Sequence, residues 1–567
     1  MFVKSTGHLQ QSLFGVDTQL SQDKRDKLYK SKEFLFFTSI FSSINEEDFA
    51  PLFSSAGSRP NASIRALVSS SLLLSNNGWT IEELFNRIDF DLLTRYALGL
   101  TNLDDTPFCQ STYFNFQNRL AAYFGKTGEN LLEKVFDHLT EKQIKELKIK
   151  SDIQRTDSFQ ALSNIRSYSR IQLLIEVLIR LHRILSQEDQ LRCKELFSTY
   201  CDQTSSKFVY QLKRIEMPHE LEKLGKVYHE LYLLLQKDYC ASDVFAVFER
   251  VYKEHFTIAN EAITINTLHS NCLQSPDDLD ATFRLKNGTG FRGEVVSVVE
   301  TANPDNEINL ITDVAIYPNN TDDSVILNER LPTIIEKTPD LVELHTDGGY
   351  GSSANDIIME QESIIHVQTA IRGREAAVEM VIDKSDDGTF VVSCPIQTVT
   401  ATDTQKRLKA VFSIDKCNGC PDADKCPTKI QQSGRVYYFD EEQARLSKRA
   451  RNLEGLPRER QHLRPNVEAT MKEFTIPFNH KGKLRIRGLF KTMLYAFTRA
   501  IAINFGRIYR LAMKRAGKKD PLASLHCLWS CVVEMAWLIV PDCYTGMSDC
   551  IRGTRENTVG SRICQVF

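Results

Sequence analysis

Two β-branched runs set the strongest limit on how this chain can fold. GFRGEVVSVVET (290–301) and EINLITDVAIY (307–317) are dense in valine, isoleucine and threonine, which suits strands better than helices. Between them lie the turn formers Asn303, Pro304, Asp305 and Asn306, so the pair predicts a β-hairpin. A largely helical segment follows from Ser324 to Ile335, and a short strand then leads into VELHTDGGYGSSAN (342–355). Strand, hairpin, helix, strand is an α/β (α+β) order.

That last strand ends in one carboxylate, Asp347, followed by Gly348 and Gly349. Glycines let the backbone bend and another group come close, and a carboxylate at such a lip suits metal-dependent chemistry. One carboxylate is not a site, so partners are needed. In KIKSDIQRTDSFQA (148–161), Ile149, Ile153, Arg155, Asp157 and Phe159 share one parity of a strand. A carboxylate on an apolar strand face is costly unless paired or bound to a cation. The competing reading of Asp157 is a strand-end residue capping a turn with Ser158. Later, Pro465 can open a helix with Val467, Met471 and Phe474 on one face. Glu468 lies among them, one turn after Arg464, and taken alone it is a helix N-terminal glutamate favoured by the dipole.

With 567 residues the chain is expected to form three or four compact units. Its 42% hydrophobic and 25% charged content is that of a soluble globular protein. The start, MFVKSTGHLQ, has no long apolar core of a secretory signal, so a cytoplasmic protein with no membrane partner is expected. Leu525–Val540 is apolar but interrupted by His526 and Glu534 and reads as a buried helix. The net charge of −3 conceals an uneven distribution: residues 441–519 hold 20 Lys and Arg against 6 Asp and Glu. Within them Lys481, Lys483, Arg485 and Arg487 alternate and would point one way from an extended run.

Before the strands, SSAGSRPNAS (54–63) punctuates the chain ahead of a helical unit. Ile64, Leu67, Val68 and Leu72 form one helix face, and Thr80 with Glu83 forms a capping box for the helix of Leu84, Phe85 and Ile88. STYFNFQNRL (111–120) predicts a further short helix. This unit is either a packing domain or a DNA-contacting one, and its arginines, Arg65, Arg87, Arg95 and Arg119, make no basic stripe. From Arg170 to Ala262 a leucine-rich helical stretch reads as an insertion.

Fourteen cysteines, mostly scattered, argue for reduced thiols. Cys394, Cys417, Cys420 and Cys426 alone are clustered, in SCPIQ and KCNGCPDADKC, and read either as a structural Zn²⁺ set or as four reduced thiols in a small loop domain. His345 and His366 have no partner at metal-ligand spacing and read as structural.

In order along the chain, QRTDSFQALSNIR, LHTDGGYGSSAND, RPNVEATMKEF and GKLRIRGLFKTMLYAFTRAIAINFGRIYR resemble blocks of bacterial insertion-sequence transposases of the acidic-triad, or DDE, class. The helical block from Ile64 to Leu100 is similar to the N-terminal domain of that family. The resemblance spans about residues 60–515. It implies a ribonuclease-H-like catalytic core in which Asp157, Asp347 and Glu468 hold two Mg²⁺ or Mn²⁺ ions about 4 Å apart, Asp157 touching both. It implies DNA cleavage at transposon ends and joining of the 3′-hydroxyl to target DNA, with Arg464 and the basic segment on phosphates and a homodimer on double-stranded DNA. Relatives often frame the glutamate with a tyrosine, an arginine and a lysine. Here Arg464 matches, but Gln461 stands at the tyrosine position and Thr475 at the lysine position, leaving those two roles open.

The resulting division is an N-terminal helical domain (1–147), catalytic core (148–169), helical insertion (170–275), core (276–392), cysteine-rich subdomain (393–432), core with basic segment (433–519) and a C-terminal tail (520–567). The alternatives are a metal-dependent nuclease of the same fold and a transposase-derived DNA-binding regulator without activity.

Overall fold

The computed structural model describes residues 1–517 apart from 7–14, 55–56, 58, 101, 103, 260–261, 370–377, 386 and 405. The Leu525–Val540 stretch and the C-terminal tail, 520–567, lie outside the described residues.

At the centre is a six-stranded mixed sheet built from β1 (Ile153–Leu162), β2 (Thr282–Lys286), β3 (Thr289–Thr301), β4 (Ile311–Pro318), β5 (Glu343–Thr346) and β6 (Ile365–Gln368). β3 and β4 form the hairpin expected from their β-branched sequences. β3 also pairs antiparallel with β1 along its length and with β2 at its start. On the opposite edge β1 pairs parallel with β5, and β5 parallel with β6. β3 is covered on both faces, with Val295, Val296, Val298 and Val299 all buried. That is why its sequence is a continuous apolar run and not an alternation.

Helices cover the sheet. The ones that matter for the site are α1 (Ile64–Asn77), α2 (Ile81–Phe90), α3 (Leu131–Leu147), α4 (Asp323–Lys337), α5 (Val467–Thr475) and α6 (Leu489–Ala516). The expected capping box opens α2: Glu83 N–H donates to Thr80 Oγ1 (3.1 Å) and Thr80 N–H to Glu83 Oε2 (2.7 Å). On one face of β1, Phe159 meets Phe474 of α5 with ring centroids 5.4 Å apart. On the other face, Ser158 Oγ donates to Asp323 Oδ1 at the start of α4 (2.6 Å).

Helix α6 joins the layers. Its Asn504 accepts from Ile311 N–H and donates to Ile311 C=O (2.8 and 2.9 Å), occupying backbone groups of β4. Its Phe497 and Phe505 pack on Phe136 of α3 and on Phe36. One hydrophobic core therefore runs from the N-terminal helices through α6 to Phe159 and Val298 of the sheet. The helical stretch after Arg170 has a separate core around Leu178, Tyr228, Leu231 and Phe248. Within it Phe256–Ala259, where the sequence pattern implies helix, pairs with Ala262–Ile265 as a two-stranded ladder. The β-branched Thr257, Ile258, Ile263, Thr264 and Ile265 account for the difference.

One core carboxyl gives the fold a pH dependence. Glu294 of β3 is buried, accepts a 3.3 Å bond from Thr492 Oγ1 on Oε2, and among the described residues has no partner on Oε1. Burial, reinforced by Asp278 and Asp280, pushes its pKa up from 4.5 to about 8. A pKa raised on folding gives stability that is full below the unfolded value and is lost as pH rises to the folded one. Stability should therefore fall between about pH 4.5 and pH 8, by on the order of 5 kcal/mol for this group. Urea unfolding across this range should show the fall in the parent and a flatter profile in Glu294→Gln; equal slopes would show that Glu294 is not the group responsible.

Candidate active site

Parallel pairing brings the first two carboxylates level. Arg155 of β1 lies opposite His345 of β5, so two residues further on Asp157 and Asp347 leave neighbouring strands side by side. Asp347 orders the turn after β5 by accepting from Gly349 N–H on Oδ1 (2.7 Å), whereas Asp157 lies within β1, not at a strand-end turn, and its Oδ1 accepts from Ser158 N–H (2.8 Å). Glu468 comes from the first turn of α5, on the face of the sheet that carries Asp157.

Arg464 stands between all three. Its Nη2 is 2.9 Å from Asp157 Oδ2 and 3.7 Å from Asp347 Oδ2, and its Nη1 is 3.2 Å from Glu468 Oε1. Asp157 is the most enclosed, 13% exposed against 67% for Glu468. Burial pushes the Asp157 pKa above the usual range, opposed by Arg464 and the Ser158 N–H and reinforced by Asp347 and Asp323. Asp323 was not singled out in the sequence. Its signal was an Asp322-Asp323 pair opening a helix after a turn. Beside Asp347 a polar cleft of about 270 Å³ opens between Gly348, Gly349, Asp323, Arg284 and Arg449.

Three carboxylates sharing one positive charge are a donor set suited to hard cations. Arg464 holds the centre of that set as a stand-in cation. Around it the oxygens are spread, and among the described residues no group of three or more His, Cys, Asp or Glu side chains is gathered as a metal-holding cluster.

The same holds for the cysteines. Cys394, Cys417, Cys420 and Cys426 line one small hollow as free thiols, and Gln397 Nε2 donates to Cys417 Sγ (3.1 Å). Burial pushes the Cys417 thiol up, with Arg435 opposing and the other three cysteines reinforcing. The arrangement gives the zinc reading no support.

The basic run begins in a turn at Lys481 and Gly482 and is extended only around Lys483, and its four cations do not act alike. Lys483 bridges to Leu162 at the end of β1, and its Nζ donates to Ile165 C=O (2.5 Å). Arg487 Nε donates to Asn164 C=O (2.8 Å). Leu484 between them is buried, and Lys481, Arg485 and Arg487 are exposed. The alternation therefore reflects a segment fastened to the sheet, with two of its cations used as fasteners.

His345 and His366 are buried, each with a carboxylate at hydrogen-bond distance. His345 Nε2 is 2.6 Å from Glu343 Oε1, and His366 Nδ1 is 3.1 Å from Asp356 Oδ1. His366 Nε2 also meets Thr346 Oγ1 (2.9 Å), next to Asp347. Gln461 and Thr475 bond to the backbone of their own segment, at Leu456 C=O and Lys472 C=O.

Comparison with known proteins adds one finding. Neither the curated proteins nor the solved structures give a match. Residues 393–509 match a family model described as a transposase DDE domain, a span that holds Arg464, Glu468 and the basic run, with Asp157 and Asp347 preceding it. By that match residues 393–509 are similar to a transposase DDE domain, which supports reading the chain as a DDE-class transposase.

Proposed function

We propose that this chain is a transposase that cuts DNA at the ends of its element and joins the freed 3′-hydroxyls to target DNA, with Asp157, Asp347 and Glu468 as the carboxylates of a ribonuclease-H-like core. The observation that carries the reading is the meeting of three carboxylates, from segments far apart in sequence, on Arg464. It draws support from a sheet in which an antiparallel hairpin flanks one edge of β1 and parallel strands the other. Asp157, Asp347 and Glu468 would be the residues that hold divalent Mg²⁺ or Mn²⁺ ions. The ions would activate the attacking oxygen and stabilise the leaving one.

The chain's own residues prepare the phosphate. Gly348 and Gly349 leave no side chain in the way of the DNA backbone, and Arg464 offers a guanidinium to phosphate oxygens beside the carboxylates. In the first displacement a water oxygen bonds to phosphorus and the 3′-oxygen leaves with a proton. In the second, that 3′-hydroxyl bonds to a target phosphorus and displaces the target's own 3′-oxygen. No protein atom becomes covalently linked to DNA. Two ends must be joined together, so a homodimer on DNA is the working assembly. The helices of 1–147, the insertion of 170–275 and the cysteine-rich segment of 393–432 are domains arranged around this core. The four cysteines would be a structural subdomain remote from the chemistry.

Strand transfer tests the reading: protein, Mg²⁺, an end-bearing duplex and a target plasmid should yield joined products. Cutting of any duplex without joining would mean a nuclease, and binding without cutting a regulator. Binding itself should weaken steeply with salt, by about 0.9 in slope per neutralised phosphate. Lys481→Ala with Arg485→Ala should lower the slope by about 2. Lys483→Ala should instead lower the melting temperature and leave the slope nearly as it was. A double variant with the parental slope would remove these two from the DNA interface.

A further inference from the structure

A buried charge cluster behind the carboxylates has no role in the chemistry above. Glu300 of β3 is fully buried. Its Oε1 accepts from Arg155 Nε of β1 (2.7 Å), and its Oε2 accepts from Arg507 Nη1 of α6 and Thr470 Oγ1 of α5 (2.7 Å each). Arg507 also donates to Glu473 Oε2 (2.8 Å) and Thr470 Oγ1 (2.6 Å). Arg155 donates its Nη1 to Leu463 C=O (2.9 Å).

The addresses of these bonds carry the argument. Arg155 is two residues before Asp157 on the same strand face. Thr470 is two residues after Glu468 on the same helix. Leu463 immediately precedes Arg464. One carboxylate thus ties together the local backbones of Asp157, Glu468 and, through Arg155, Arg464. Apolar packing could hold the same elements as stably as buried ion pairs do. Hydrogen bonds add direction, and direction fixes how far the strand and the helix can slide past each other.

We propose that Glu300 is a positioning residue for DNA cleavage and joining, setting the separation of Asp157 and Glu468. This rests on the reading of those two as the carboxylates of the reaction. Partners behind a ligand set commonly change metal affinity or activity by about 10- to 100-fold.

The test uses the full chain and two readouts: Mn²⁺ binding without DNA, followed by electron paramagnetic resonance, and cleavage of an end-bearing duplex against Mg²⁺ concentration. Glu300→Gln keeps the shape and removes the charge, but leaves Arg155 and Arg507 short of a partner, so the Thr470 pair guards against misfolding. Thr470→Val keeps the volume and removes the hydroxyl, and Thr470→Ser keeps the hydroxyl. Thr470→Val should bind Mn²⁺ about tenfold more weakly and need about tenfold more Mg²⁺, while Thr470→Ser behaves as the parent. Glu300→Gln should shift both further in the same direction. Parental metal dependence in Thr470→Val, or equal impairment of the two Thr470 variants, would overturn the role of Glu300. A parent that does not cleave, or Asp157→Asn cleaving as the parent does, would overturn the proposed function instead, and Mn²⁺ binding would still decide on Glu300.

Discussion

Asp157→Asn protein is expected to lose cleavage and joining by about a thousandfold or more, ~4 kcal/mol of transition-state stabilisation, without melting below the parent. The two halves have one cause. Asp157 sits on a covered strand face, and burial raises its pKa. The sign follows: a raised pKa means that the ionised group weakens the fold as pH rises to the folded value, and asparagine removes that cost. The loss of one of Arg464's three carboxylate partners offsets part of the gain. Asp347→Asn and Glu468→Gln should lose activity similarly, with small stability changes because these side chains are more exposed. Calorimetry beside a strand-transfer assay reads both halves. Parental activity in any of the three would strike that residue from the site, and an unfolded Asp157→Asn would show that the ion pair with Arg464 outweighs burial.

Local chemistry made several elements legible. The hairpin of β3 and β4 followed from β-branched runs around a turn, and the cap of α2 from Thr80 and Glu83, because each depends on residues a few positions apart. Each carboxylate could be placed on a strand or helix for the same reason. Their meeting could not be read from spacing, since it needs β1 to pair with β5 and α5 to lie across β1. The resemblance to a family supplied the grouping that periodicity could not. In the basic run, alternation says which side chains share a face, but not which of them bond to Asn164 and Ile165. Glu300 was hidden by its surroundings, because one charge at the end of GEVVSVVE reads as a strand terminus. Its partners, Arg155 and Arg507, lie far before and far after it in the sequence.

Gly293→Ala should be the most damaging single substitution for the fold. A glycine inside a strand sequence signals a bulge or a close backbone approach, and here it is the approach. Gly293 has φ +144° and faces Leu162 in the ladder with β1; a Cβ there would lie 2.2 Å from Ala161 C=O and 2.7 Å from Ser163 N. Both are backbone atoms, so no rotamer change relieves the clash, and β1 must move away from β3. The segment that would move is also where Ser163 N–H bonds Arg292 C=O and where Leu484 N–H bonds Leu162 C=O. A loss of roughly 3 kcal/mol or more is expected, or about 6–12 °C in melting temperature. Gly288 provides the control. It also has positive φ, +75°, but nothing lies within 4 Å of its Cβ position, so Gly288→Ala should cost only about 1 kcal/mol of backbone strain. Equal melting temperatures for the two variants would mean that β1 yields at its end without cost. A larger drop for Gly293→Ala, with residual cleavage at low temperature falling further than folding alone explains, would place the β1–β3 contact upstream of Asp157, four residues before Ala161 on the same strand face.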